Sequence, residues 1–233
     1  DVDNLVLPHQ AAMQIAKLQT SAAAPQPVTT KPELALVSGK PVVIVGTGRY
    51  LGSSDITDTQ QQSIYAFKDN LTATGWGDVR ADTTDFVQQT FTVDAAAKTA
   101  SVSNLAVDWS TKAGWWIDLP HTGERMTISP GLQFSTLAIA TAIPNGDACA
   151  SGGSSWRYFL NVTTGGVITT NPTGELWSSN SLIVGLSWVK DTNGNVRIIS
   201  QGSNGDLRTE IPPIIKTSGT GSAHRTSWRE LTD

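Results

Sequence analysis

The chain has 233 residues, with 16 basic and 20 acidic side chains, a formal net charge of −4, and 39% hydrophobic residues. Charged residues make up 15%, where an average soluble domain has about 25%, and Ser, Thr, Asn, Gln and 21 Gly take their place, which points to an all-β chain. That balance excludes a disordered tail and a polybasic nucleic-acid or membrane surface. No apolar stretch reaches the roughly 20 residues of a transmembrane helix, the longest, Leu132 to Ile143, being broken by Gln, Ser and Thr.

The sequence starts at Asp1 without Met and without a basic-then-apolar leader, which reads as a mature product or an excised piece. From Asn4 to Gln26 it is rich in Ala and Gln, with Met13, Ile15 and Leu18 as candidate anchors, and no periodicity settles strand against helix. We take residues 1–27 as an irregular segment belonging to an upstream sheet and residues 28–233 as one β domain. Val28 to Leu36 reads as extended, followed by a Ser38-Gly39 turn and the β-branched run Pro41 to Val45, a buried strand. Further predicted strands are Ser63 to Lys68, Phe86 to Val93, Ala100 to Val107, Gly114 to Leu119, Met126 to Ile128, Leu132 to Ile143, Ser155 to Asn161, Val167 to Thr170, Ser181 to Lys190, Val196 to Gln201 and Leu207 to Ile211. Thr122-Gly123, Asn145-Gly146, Thr164-Gly165-Gly166, Asn193-Gly194 and Asn204-Gly205 supply the positive-φ positions of tight hairpins.

Three segments repeat one order of features: a Thr-rich lead-in with proline, an apolar strand, then a strand ending in a polar turn. They start at Thr29 to Pro32, Thr127 to Pro130 and Thr169 to Pro172. The prolines lie 98 and 42 residues apart, and roughly 40 to 50 residues make one propeller blade. Each blade is a small twisted sheet that cannot cover both faces alone, so neighbours stack. The prediction from the repeats is a β-propeller built of stacked antiparallel blades.

Several patterns suggest chemistry and are better explained by structure. Gly46-Thr47-Gly48-Arg49-Tyr50-Leu51-Gly52 follows a strand, but its third Gly comes one place too late for a dinucleotide loop and Ser53 to Thr59 is poor helix. His9, His121 and His224 lack zinc spacing, and Cys149, the single cysteine, sits in a Gly-rich loop without a cationic neighbour before Arg157. An inert or externally paired thiol is the reading there. Asp191-Thr192-Asn193-Gly194-Asn195 begins like a calcium loop, yet its Gly falls at position four and no Glu closes position twelve, so an Asn-Gly hairpin explains it better. Asp1-Val2-Asp3-Asn4 is too short to judge. Of the eight Trp, Trp115 and Trp116 are strand neighbours and must face opposite sides, and structural packing is favoured over sugar stacking. No catalytic, cofactor-binding or metal-binding residue is assigned.

Four stretches together resemble the C-terminal domain of the PilC/PilY family: Pro41 to Leu51; Asp55 to Asp58 with Gln60 to Phe67; Gly114 to Pro120 with Gly123-Glu124-Arg125; and Ser154-Ser155-Trp156 after Cys149. The terminal Arg225 to Leu231 is similar to that family's chain end. The resemblance covers Val28 to Leu231 and implies a modified β-propeller longer than this chain, of which these residues would be the C-terminal four or five blades. It implies a secreted Gram-negative protein at the type IV pilus tip and outer membrane, non-enzymatic. Such a protein promotes pilus assembly, counters retraction and supports attachment and twitching motility. Pilus subunits or minor pilins and host or surface receptors would be its partners. The resemblance also implies Ca2+, although no segment here matches the family's acidic calcium loop. The alternatives are a quinone-dependent propeller dehydrogenase and an outer-membrane scaffold propeller. Loops such as Asp69 to Asp85 and Asn145 to Ser154 would present the contact surface.

Overall fold

The computed structural model describes residues 14–72, 74–145 and 152–214, with the backbone of 224–225. Among the described residues, strands hold 45% and helix 2%. Ser38 and Gly39 both adopt positive φ, 51° and 73°, which matches the right-handed twist of the strands they join. β1 (Glu33–Val37) therefore folds back antiparallel on β2 (Lys40–Gly46), with Val37 opposite Lys40. β3 (Ser63–Lys68) and β7 (Gly114–Asp118) extend this first sheet antiparallel, β4 (Phe86–Gln89) lies parallel to β7, and β15 (His224–Arg225) pairs with β1.

The second sheet is antiparallel, in the order β5 (Phe91–Asp94), β6 (Thr99–Val102), β11 (Gly174–Ser178), β10 (Gly153–Asn161), β9 (Thr136–Pro144), β8 (Gly131–Gln133). The third is the meander β12 (Ile183–Lys190), β13 (Val196–Gly202), β14 (Leu207–Glu210). Alternation along the strands decides how the sheets stack. In the first sheet Val42, Ile44, Ile64, Ala66, Trp115 and Ile117 face Leu137, Ile139, Trp156, Tyr158 and Leu160 of the second. The other face of the first sheet presents Val45, Tyr65, Phe67, Phe86 and Trp116, covered by Leu18, Trp76 and Val79. The second sheet turns Ala140 and Trp177 toward Ile183 and Leu186 of the third.

The all-β, propeller-like expectation agrees with this stack, and the strands of each of the three sequence repeats fall in one sheet, as β1–β2–β3, β8–β9–β10 and the third meander. The described strands form three sheets, where the resemblance implied four to five blades. The residues between Pro32 and Pro130 account for the difference. They supply β1 to β4 and β7 to the first sheet and β5 and β6 to the second, so an interval of two blade lengths yields one complete sheet rather than two. Phe86 to Val93, expected as one strand, divides at Thr90 between two sheets, and Leu132 to Ile143 turns at Phe134, which holds φ 53°. Met126 to Ile128 and Val167 to Thr170 form no strand, and Gly174–Ser178 forms one that was not foreseen.

Trp115 is fully buried, its indole N–H donates to the Val162 carbonyl at 3.0 Å, and the Thr164-Gly165 turn lies so close on its ring that a Cβ at Gly165 would sit 2.4 Å from it. Replacing Trp115 by Ala should cost about 3–5 kcal/mol of unfolding free energy. Leu51, 79% exposed, should change stability by less than about 0.5 kcal/mol when replaced by Ala. Urea titration of both variants checks the pair, and equal losses would mean that the first and second sheets do not share this core.

Candidate functional site

The glycine-rich exit of β2 is a packing device. A Cβ on Gly46 would lie 2.2 Å from the Met126 sulfur, and one on Gly48 (φ 142°) 2.6 Å from Arg125 Cβ. Beyond it, Asp55 is buried and accepts the N–H groups of Leu51 (2.9 Å) and Gly52 (3.1 Å) and Arg49 Nε (2.7 Å). The buried Arg125 guanidinium donates to the carbonyls of Arg49, Asp55, Asp58 and Gly123, so loop 49–58 is held from within by one cation. The Leu51 N–H first and Arg49 next hold the Asp55 carboxyl below its ordinary value of 3.8.

Next to Arg125, Glu124 is completely buried as a side chain. Its Oε2 takes His121 Nδ1 at 2.8 Å and the His121 N–H at 3.1 Å, and its Oε1 accepts from Thr141 Oγ1 and from Tyr158 OH at 2.7 Å. The carboxylate fixes the imidazole with its Nδ1 proton inward, and the ring stacks on Trp156 with centroids 4.2 Å apart. Burial first and Glu124 second push the Tyr158 phenol well above 10.0, so it stays a donor. Imidazole, carboxylate and phenol could pass a proton among themselves. Here they pin the 119–126 turn to β9 and β10.

A different geometry lies at the seam of the second and third sheets. Because Trp156, Tyr158 and Leu160 of β10 face the core, Arg157 and Phe159 point the other way. Arg157 is 1% exposed. It donates to Glu175 of β11, Glu210 of β14 and Ser200 of β13 (3.1 Å for the last), tying the two sheets together. Its guanidinium carbon is 5.2 Å from the Phe159 ring centre. A cleft of about 260 Å³ opens over this group, bounded by Pro172, Thr173 and Pro213. Loop 168–174 is positioned by Asn171, which takes the Val102 N–H at 2.9 Å and donates to the Val102 carbonyl at 3.1 Å. A larger hollow of about 720 Å³ runs along the outer side of β1 and β2, lined by Pro32, Leu34, Pro41 and Val43.

The residues singled out in the sequence fall as follows. Trp115 and Trp116 do face opposite sides, and both are buried, Trp116 beneath the Arg80 guanidinium at 4.2 Å. Asp191 sits in the β12–β13 hairpin. Its Oδ1 accepts the N–H groups of Asn193 and Asn195 and its Oδ2 takes Arg197 Nε, so the carboxylate closes the hairpin turn. His121 joins Glu124, a pairing that wide spacing from the other histidines does not predict. His9, Cys149 and the Asp1 to Asn4 segment lie outside the described residues, as do the His224 side chain, Thr226 to Leu231 and most of the Asn145 to Ser154 loop. Among the described residues no three His, Cys, Asp or Glu side chains gather as metal ligands would. Arg157 went unassigned although its sequence carries a signal: a cation at the alternate position of an aromatic strand.

Stacked, mostly antiparallel sheets joined by buried ionic centres define an all-β, propeller-like protein. The chain is similar to type IV pilus biogenesis factors named PilY1. It is 29% identical over 227 residues to a type IV pilus biogenesis factor PilY1 homolog of Xylella fastidiosa, which covers 88% of this chain and 18% of that protein. It is 32% identical over 170 residues to the type IV pilus biogenesis factor PilY1 of Pseudomonas aeruginosa, covering 63% of this chain and 15% of that protein. The chain thus spans less than a fifth of the length of these relatives. No family model matches the chain, and no solved structure gives a significant match.

Two measurements test the buried centres. Glu124→Ala strands Tyr158, Thr141 and His121 without their acceptor, and should lower stability by about 2–4 kcal/mol in urea titration. A loss under about 0.5 kcal/mol would remove Glu124 as the pin of this turn. Since the Asp55 pKa is depressed in the folded state, its contribution is complete above the ordinary value of 3.8 and disappears as pH falls through the lower, folded value. Asp55→Asn should therefore flatten part of the decline in melting temperature below about pH 4. An unchanged acid slope would contradict the assignment.

Proposed function

We propose that this chain is the scaffold region of a type IV pilus biogenesis factor. It acts without catalysis, promotes pilus assembly against retraction, and supports surface attachment and twitching motility. The observation that carries this reading is the 29–32% identity to proteins of that name over 60–88% of the chain. The fold supports it physically. Loops 49–58 and 119–126 are knitted from inside by Arg125, Asp55 and Glu124, so the surface they present keeps one shape at little entropic cost on binding. The cluster best suited to proton transfer, His121 with Glu124 and Tyr158, uses both carboxylate oxygens on its own members, which favours scaffold over enzyme. On this reading the region works outside the cell, at the pilus and the outer membrane, with pilus subunits and surface receptors as partners.

Deleting this region in frame from its chromosomal gene tests the proposal. Surface pili counted by electron microscopy and the twitching zone on agar should both fall, and pili should return in a retraction-deficient background. Normal pili and normal twitching after the deletion would overturn it.

A further inference from the structure

Two turns of the third sheet, residues 191–195 between β12 and β13 and residues 202–206 between β13 and β14, carry the same Asn-Gly pair on the same backbone path. In the first, the Asp191 N–H donates to the Asn195 carbonyl and the Gly194 N–H to the Asp191 carbonyl, both at 2.9 Å, with Gly194 at φ 79°. In the second, the Gly202 N–H donates to the Asp206 carbonyl at 2.7 Å and the Gly205 N–H to the Gly202 carbonyl at 3.0 Å, with Gly205 at φ 90°. Asn193 and Asn204 are both exposed. Their side chains differ. Asn204 Oδ1 accepts from Ser181 Oγ at 2.9 Å and from the Asp206 N–H at 3.1 Å, and its Nδ2 donates to Asp206 Oδ2 at 2.8 Å. The Asn193 carboxamide has no partner among the described residues, and only its backbone N–H is engaged, by Asp191 Oδ1 at 3.0 Å.

This contrast bears on the covalent reaction that an Asn-Gly pair undergoes without an enzyme. Once hydroxide has taken its proton, the glycine nitrogen attacks Cγ of the asparagine. A C–N bond forms, the side-chain nitrogen takes a proton from water and leaves as ammonia, and a succinimide ring remains. Water then adds to either ring carbonyl and opens it, giving aspartate or isoaspartate. Glycine favours the attack because no Cβ shields its nitrogen. Both turns must open in the same way to bring that nitrogen to Cγ, so the backbone does not separate them. The side chains do. The Asn204 carboxamide has to give up its bonds to Ser181 and Asp206 before it can rotate onto the nitrogen, and the Asn193 carboxamide has none to give up.

We propose that Asn193 is a deamidation site of this protein and that Asn204, which shares the Asn-Gly sequence, is protected. Isoaspartate at 193 routes the main chain through the former side chain and adds a methylene between β12 and β13, and either product sets a second carboxylate beside Asp191. Trypsin separates the two sites, because Lys190, Arg197 and Arg208 bound one peptide with Asn193 and another with Asn204. The folded protein is incubated at mildly alkaline pH, and mass spectrometry follows both peptides over time, with fragment ions placing the change at 193 rather than 195. Asn193 should convert about tenfold faster than Asn204, and in guanidinium chloride the two rates should converge. Ser181→Ala, which removes one donor to Asn204 Oδ1, should speed Asn204 and leave Asn193 unchanged. Equal rates in the folded protein overturn the proposal, as does a faster Asn204 or one indifferent to Ser181→Ala. An Asn193 that stays intact while the unfolded chain reacts overturns it too.

Discussion

The structure depends on the contact between two sheets that meet through one alternating set of side chains. Val42, Ile44, Ile64, Ala66, Trp115 and Ile117 leave the first sheet on a single side because successive strand residues point in opposite directions, and they meet Leu137, Ile139, Trp156, Tyr158 and Leu160. A register slip of one residue in β3 would exchange Ile64 and Ala66 for Tyr65 and Phe67 and break both of the layers the sheet touches. Both faces of the first sheet are apolar, so its register is specified twice. This is why its strands are runs of hydrophobic residues rather than alternations.

Charge enters such a stack at its seams. Arg125 and Asp55 satisfy backbone groups of a loop that has no ladder of its own. Glu124 gathers a hydroxyl, a phenol and an imidazole, and Arg157 joins three strands of two sheets. Each is a charged side chain held in low dielectric by several hydrogen bonds, the condition under which a buried charge is tolerated. The energetic consequence is directional. Such centres add modest stability against an apolar substitute, yet removing one partner is costly, so they fix which sheets meet and where their loops stand.

Local patterns were legible in the sequence and long-range ones were not. Ser63–Lys68 was read at its observed bounds because an apolar run flanked by turn residues needs no tertiary information, and the turns at Gly123, Gly165, Gly194 and Gly205 all carry positive φ. The Phe134 turn escaped notice because its left-handed residue is a Phe, without the Gly or Asn that marks such positions. β11 was missed because Gly174-Glu175-Leu176-Trp177-Ser178 lacks alternation and is strand through pairing with β6 and β10. The cleft was beyond reach for a related reason. The carboxylate partners of Arg157 are 18 and 53 residues away, and what brings them together is the stacking of sheets.

The third sheet shows how the stack meets water. Leu186, Trp188, Ile198, Ser200 and Glu210 share its inner face by register, while Ser187, Val189, Ile199, Gln201, Leu207 and Thr209 share the outer one. That outer face is mixed, with Val189 and Leu207 exposed among hydroxyl and amide groups. The first sheet, by contrast, presents Tyr65, Phe67 and Trp116 on its far side and needs residues 16–18 and Trp76 as cover. Apolar character therefore declines across the stack from sheet to sheet. The cleft lies where a mostly buried strand, β10, meets a mostly exposed one, β14, a setting in which a buried cation can face polar groups that solvent still reaches. A site of this kind needs both neighbours. Two equally apolar sheets would close over Arg157, and two equally polar ones would leave it solvated and free to move.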